Sequence, residues 1–132
     1  MPGLADNADS ESRVLIYQEV RGLRGNPIFL DGVEVATLRQ RWSYFVLHLS
    51  PGEHSIVGRH KDNEVVLQIL PGKDYFIRLG SDLLGEKPML TSCAEARTVV
   101  DSGKLHPIQP SDVRDNASVV LKIIQPACGG EK

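Results

Sequence analysis

Cys93 stands where a helix would begin, and a helix N-terminus favours a thiolate. A nucleophilic cysteine with a histidine such as His106 as its base is therefore the first chemistry these residue types allow. Nothing in the spacing brings the two together, and there is no Gly-x-Ser-x-Gly elbow, phosphate loop or Gly-x-Gly-x-x-Gly turn. The reading expects no catalytic residue and keeps a small thiol-dependent enzyme using Cys93 as the alternative. His48, His54 and His60 recur every six residues, but zinc needs three or four converging ligands. On one strand His54 and His60 would lie roughly 20 Å apart, so neither a metal site nor a cofactor is expected. His54 is expected to help fix the Pro51-Gly52 turn. Asp62 and Glu64 read as solvated turn residues.

Arg39, Arg41, Trp42 and Tyr44 form the set best suited to recognition, since arginine and large aromatics dominate binding hot spots and an exposed indole stacks on sugars or peptide groups. A protein or a glycan is the expected partner. The bland counterpart has Trp42 covering one end of the fold with solvated arginines around it. Arg59-His60-Lys61 reads as a solvated loop. With 15 Lys+Arg against 17 Asp+Glu the formal charge is −2, which lacks the basic excess of a nucleic-acid binder. No run approaches the roughly 18 to 20 apolar residues that span a bilayer.

Those side chains must be positioned by a chain of 132 residues that is 41% hydrophobic, enough for one core. The expected organisation is a leader over 1–12, one domain over 13–126 and a flexible tail over 127–132. Cys93 and Cys128 could pair in an oxidising compartment or stay reduced in the cytosol. The leader has neither a basic n-region nor an apolar h-region, which fits a cytoplasmic protein or the mature part of an exported one whose signal was trimmed.

From Val14 onward short apolar runs alternate with turn signals, the pattern of an all-β sandwich or barrel. The expected fold is an antiparallel β-sandwich of about seven to nine strands with one short helix. Asp31-Gly32 between two apolar runs predicts a hairpin. Pro51-Gly52 and Pro71-Gly72 predict type II turns, one turn solution used twice. Along Tyr44 to Leu49, Phe45, Leu47 and Leu49 share one face and Tyr44, Val46 and His48 the other. A helix is predicted within Thr91 to Ser102, capped by Thr91 or Ser92 and stopped at Gly103. Leu105 to Asn116 is expected to be a loop, and Ser118 to Ile124 a last strand, central and buried on both faces.

The segment Phe29 to Leu38, with its Asp31-Gly32 turn, followed by Tyr44-Phe45 and Leu49-Ser50-Pro51-Gly52-Glu53-His54, resembles the PEGA-type β-sandwich domains. It is also similar to a related bacterial family of unknown function often described as putative lipoproteins. Gly72-Lys73 and Tyr75-Phe76 continue the same order of turns, so the resemblance covers about Val14 to Leu79. It implies a β-sandwich module, and an envelope location for the relatives that carry an export signal. It implies no activity.

Overall fold

A computed structural model describes residues 11–19, 25–59, 64–82, 85–115 and 117–128. The expected leader up to residue 10, the Asp62-Asn63 turn with His60 and Lys61, and the end of the tail lie outside the described residues. Over the described residues the fold is mainly β, with two sheets, one helix and an open sandwich-like arrangement. Its strands are β1 (Ser12–Gln18), β2 (Asn26–Leu30), β3 (Val33–Leu38), β4 (Ser43–Leu49), β5 (Gly52–Val57), β6 (Glu64–Ile69), β7 (Asp74–Asp82), β8 (Gly85–Leu90), β9 (His106–Pro107) and β10 (Val119–Val120). The helix α1 spans Cys93–Asp101, and Pro110–Asp112 makes one 3-10 turn.

Four strands form one sheet in the order β3-β2-β5-β6, and the other runs β10-β4-β1-β7-β8 with β9 also on β4. The second sheet is mixed, because β1 lies parallel to β7 and β9 parallel to β4. This corrects the purely antiparallel expectation, and the ten strands among the described residues exceed the seven to nine anticipated.

The turn residues explain the route. Asp31 (φ 51°) and Gly32 (φ 88°) are both left-handed, as a two-residue type I′ hairpin requires, and they join β2 to β3 within one sheet. The two Pro-Gly turns do something else. Pro51-Gly52 carries the chain out of β4 into the four-stranded sheet, and Pro71-Gly72 carries it from β6 back into the six-stranded one. The repeated motif thus marks sheet-to-sheet corners.

Each face of the six-stranded sheet is covered. On the inner face Val14, Ile16, Phe45, Leu47 and Ile77 meet Ile28, Leu38, Ile56 and Ile69 of the other sheet. On the outer face Leu15, Tyr17, Tyr44, Val46 and Phe76 pack under Ala96 and Val100 of α1 and under Ile124. The helix starts where Ser92 Oγ accepts the Glu95 N–H at 3.1 Å, a cap worth about 1 kcal/mol, and it stops before left-handed Gly103. The central position belongs to β1, whose Val14 to Tyr17 are wholly buried. Arg13 holds the parallel register by a two-pronged pair with Asp74, at 3.0 and 2.8 Å.

The last-strand expectation is corrected. Only Val119 and Val120 pair, at the edge of the sheet beside β4, and the following residues run as a covering segment. β8 was hidden in the sequence by Gly85, Lys87 and Pro88. Among the described residues it pairs only with β7, and such an edge tolerates a proline that has no N–H to offer.

Candidate binding surface

The loop between β3 and β4 is built on buried amides. Gln18, fully buried at the end of β1, accepts from Asn26 Nδ2 at 2.8 Å and donates from Nε2 to the Gln40 carbonyl at 2.9 Å. The same carbonyl accepts the Ser43 hydroxyl at 2.6 Å. The Arg41 carbonyl lies 3.0 Å from His106 Nε2, so that nitrogen carries the proton. The Trp42 carbonyl accepts the His106 N–H at 2.8 Å. Three successive carbonyls of a tight turn are therefore held. This bracing lets Trp42 sit at φ 59°, a left-handed conformation that costs a non-glycine residue about 1–2 kcal/mol.

The indole that results is half-buried. Lys104 Nζ stands 4.9 Å from its ring centroid and the Arg41 guanidinium carbon 6.0 Å, within the range of cation–π attraction. Arg39 points elsewhere in electrostatic terms, since its Nε is paired with Asp112 Oδ1 at 2.8 Å. That bond also fastens the 3-10 turn to the end of β3.

Tyr44 does not belong to this surface. It is 4% exposed in the core under α1, and its hydroxyl donates to the Leu121 carbonyl at 2.9 Å. Burial pushes its pKa up. Its neighbour Phe45 fills the core between the sheets. Lys104 takes Tyr44's place beside the indole, a residue the sequence did not mark because a lysine after a helix-ending glycine is ordinary. His106 and Gln18 were equally silent as loop supports, since their roles depend on long-range pairing.

The cations of this end differ from the rest in their partners. Among the described arginines, Arg13, Arg39, Arg78, Arg97 and Arg114 each lie against a carboxylate, and Arg59 donates to the Gly25 carbonyl. Arg41 has its place on the ring alone, and Lys104 likewise.

Elsewhere, His54 forms a latch between two turns. Its Nδ1 is 2.7 Å from Asp31 Oδ2 and its Nε2 is 2.9 Å from the Ser50 carbonyl, while Asp31 Oδ1 accepts the Ser55 N–H at 2.8 Å. Both ring nitrogens face acceptors, so the imidazolium is the form that satisfies both. Burial works against that charge, but the Asp31 hydrogen bond, the Ser50 carbonyl and the Asp31 charge outweigh it and raise the His54 pKa. Burial likewise opposes the Asp31 charge, and the Ser55 N–H and His54 outweigh it, lowering the Asp31 pKa.

Cys93 and Cys128 are joined in a disulfide, which ties the start of the segment expected to be a flexible tail to the first turn of α1. In that state Cys93 offers no thiolate. His106 also lies beyond the far end of α1, whose eight rises from Cys93 to Asp101 span roughly 12 Å. Among the described residues no group of three or more His, Cys, Asp or Glu side chains is placed to hold a metal ion, and no helix is long and apolar enough to cross a membrane.

The surface beside Trp42 is a platform. The cleft next to it, lined by Arg39, Ser43, His106 and Asp112, has about 10 Å³, room for about one water. A concavity of about 460 Å³ lies over Phe29 and Val57 on the four-stranded sheet. Its polar lining is already engaged, Ser55 with Glu64 and Arg59 with Gly25. Comparison with family models, with curated proteins and with solved structures finds no match to this chain.

Proposed function

We propose that the chain is a non-enzymatic binding module of the β-sandwich type that works in an oxidising compartment such as the bacterial envelope. Trp42, Arg41 and Lys104 form its contact surface, with Arg39 and His106 as supports. The observation that carries the reading is Trp42 itself, a half-buried indole on left-handed backbone, braced by three held carbonyls and flanked by two cations that have no acidic partner among the described residues. A loop so fixed loses little entropy when a ligand arrives, which is how preorganised sites gain affinity. The Cys93–Cys128 bond supports the compartment. The order of turns shared with PEGA-type domains supports the class of module.

The test uses the single tryptophan of the chain. Its emission is quenched with iodide, caesium and acrylamide. The reading expects a reachable indole quenched more by iodide than by caesium, with the bias reduced in Arg41→Ala and Lys104→Ala. An indole reached by none of the three quenchers overturns it.

A further inference from the structure

We infer that the Trp42 platform binds a carboxylate-bearing sugar, with a pyranose ring laid on the indole and its carboxylate on Arg41 and Lys104. This rests on the proposed contact surface and adds the class of ligand.

Charge comes first. Arg41 and Lys104 converge on one ring from two separate elements, the β3–β4 loop and the segment after α1. Among the described residues no carboxylate lies within ion-pair distance of either. Asp112, in the adjoining cleft, is 7% exposed and paired with Arg39, and Asp101 at the end of α1 is paired with Arg97. Two cations held together without an acid are complementary to an anion supplied from outside, and the planar guanidinium suits a carboxylate in particular.

Shape then separates a sugar from a peptide. An extended peptide binds by adding a strand to a free edge or by placing side chains in pockets. Here β4 leads away from Trp42 with β1 on one side and β9 and β10 on the other, so β4 has no open edge, and the margin beside Trp42 is the two-residue β9, which carries Pro107 and is too short to take an added strand. The adjoining cleft admits no more than about one water. What remains is an aromatic ring with two cations over it. A pyranose offers a matching flat array of C–H groups, and a uronic acid carries its carboxylate in the same unit. Binding shifts the two cations from the ring to the carboxylate and frees the indole for stacking.

The experiment follows Trp42 emission of the oxidised full chain during titration with homo-oligomers of galacturonate, glucuronate and mannuronate. Neutral oligosaccharides of equal length and a poly-glutamate peptide of equal charge are run beside them. The expected result is a saturable change with at least one uronate oligomer, at least tenfold weaker with the neutral and peptide probes. That affinity falls at least tenfold in Arg41→Ala and Lys104→Ala at unchanged melting temperature. Equal binding of poly-glutamate overturns the sugar assignment, and equal binding of the neutral oligomers overturns the role of charge. Silence with every uronate while iodide still quenches the indole overturns this inference and leaves the contact surface standing.

Discussion

Reducing the Cys93–Cys128 bond is the perturbation whose size follows most directly from the fold. The bond closes a loop with a sequence separation of 35, and for that length the chain-entropy relation assigns about 4 kcal/mol at 25 °C. In a domain of this size each kcal/mol moves the melting temperature by about 3–5 °C, so the shift should be about 12–20 °C. Cys93 lines an open groove of about 360 Å³ that also touches Phe76, Asp74 and Ala127, and both cysteines are partly exposed, which gives a phosphine reductant access without prior unfolding. The assay compares calorimetric melts of the oxidised protein, the same protein with reductant, and a Cys93→Ser/Cys128→Ser variant. Intact mass after alkylation, with and without reductant, is measured in parallel. Reduced protein and double variant should melt together, well below the oxidised form. A drop under about 4 °C would refute the reasoning and mean that Ile124 and Pro126 hold the covering segment by packing alone. Two alkyl groups added without reductant would show that the bond does not form.

The His54–Asp31 latch predicts a pH profile. The raised His54 pKa makes its contribution fully present below the ordinary 6.5 and lost as pH rises through the folded value. The lowered Asp31 pKa makes its contribution present above the ordinary 3.8 and lost as pH falls through the folded value. Urea midpoints of wild type and His54→Ala should therefore differ most near pH 5 to 6, by about 1 kcal/mol, and converge toward pH 9. A constant gap would remove the protonation argument. Gly32→Ala should cost about 1–2 kcal/mol through backbone strain alone, because a Cβ there meets nothing within 4 Å at φ +88°. Unchanged stability in urea would count against the left-handed turn. Gln18→Leu should cost about 1–3 kcal/mol by removing the acceptor of Asn26 Nδ2 and leaving the Gln40 carbonyl to Ser43 alone, and it should speed hydrogen exchange in the 39–42 loop. Unaltered exchange there would mean that the loop is held by Ser43 and His106.

How much was legible divides along the range of the interactions. The Asp31-Gly32 hairpin, the Ser92 cap and the alternation of Phe45, Leu47 and Leu49 are written within a few residues, and their local pattern was enough. Which strand lies in the middle is a long-range fact. Ser118 to Ile124, apolar but for Ser118 and Lys122, reads as a central strand because it also lies across packed surfaces, under no obligation to pair. Val14 to Tyr17 has a similar run and is the true centre. For the surface, Arg41 and Trp42 could be singled out by type. The bond from Arg39 to Asp112, the burial of Tyr44 and the arrival of Lys104 depend on elements more than sixty residues downstream or on the layer beneath.

The place of β1 has a consequence for the order of assembly. The strand at residues 12–18 needs β4, about thirty residues later, and then β7, with Arg13 meeting Asp74 across 61 residues. Loop closure cost rises only by about 0.6 kcal/mol per doubling of length, so the second partner is little harder to reach than the first. Timing is the heavier burden. A chain delivered residue by residue must keep this apolar segment waiting until β7 has followed, and the four-stranded sheet, whose hairpins close locally, can form in the meantime. Among the described strands β1 is the first in the chain, yet it is flanked on both sides only once β7 has followed. Until more than half of the chain has been delivered, one side of this apolar strand stays open, a natural point for a chaperone to act.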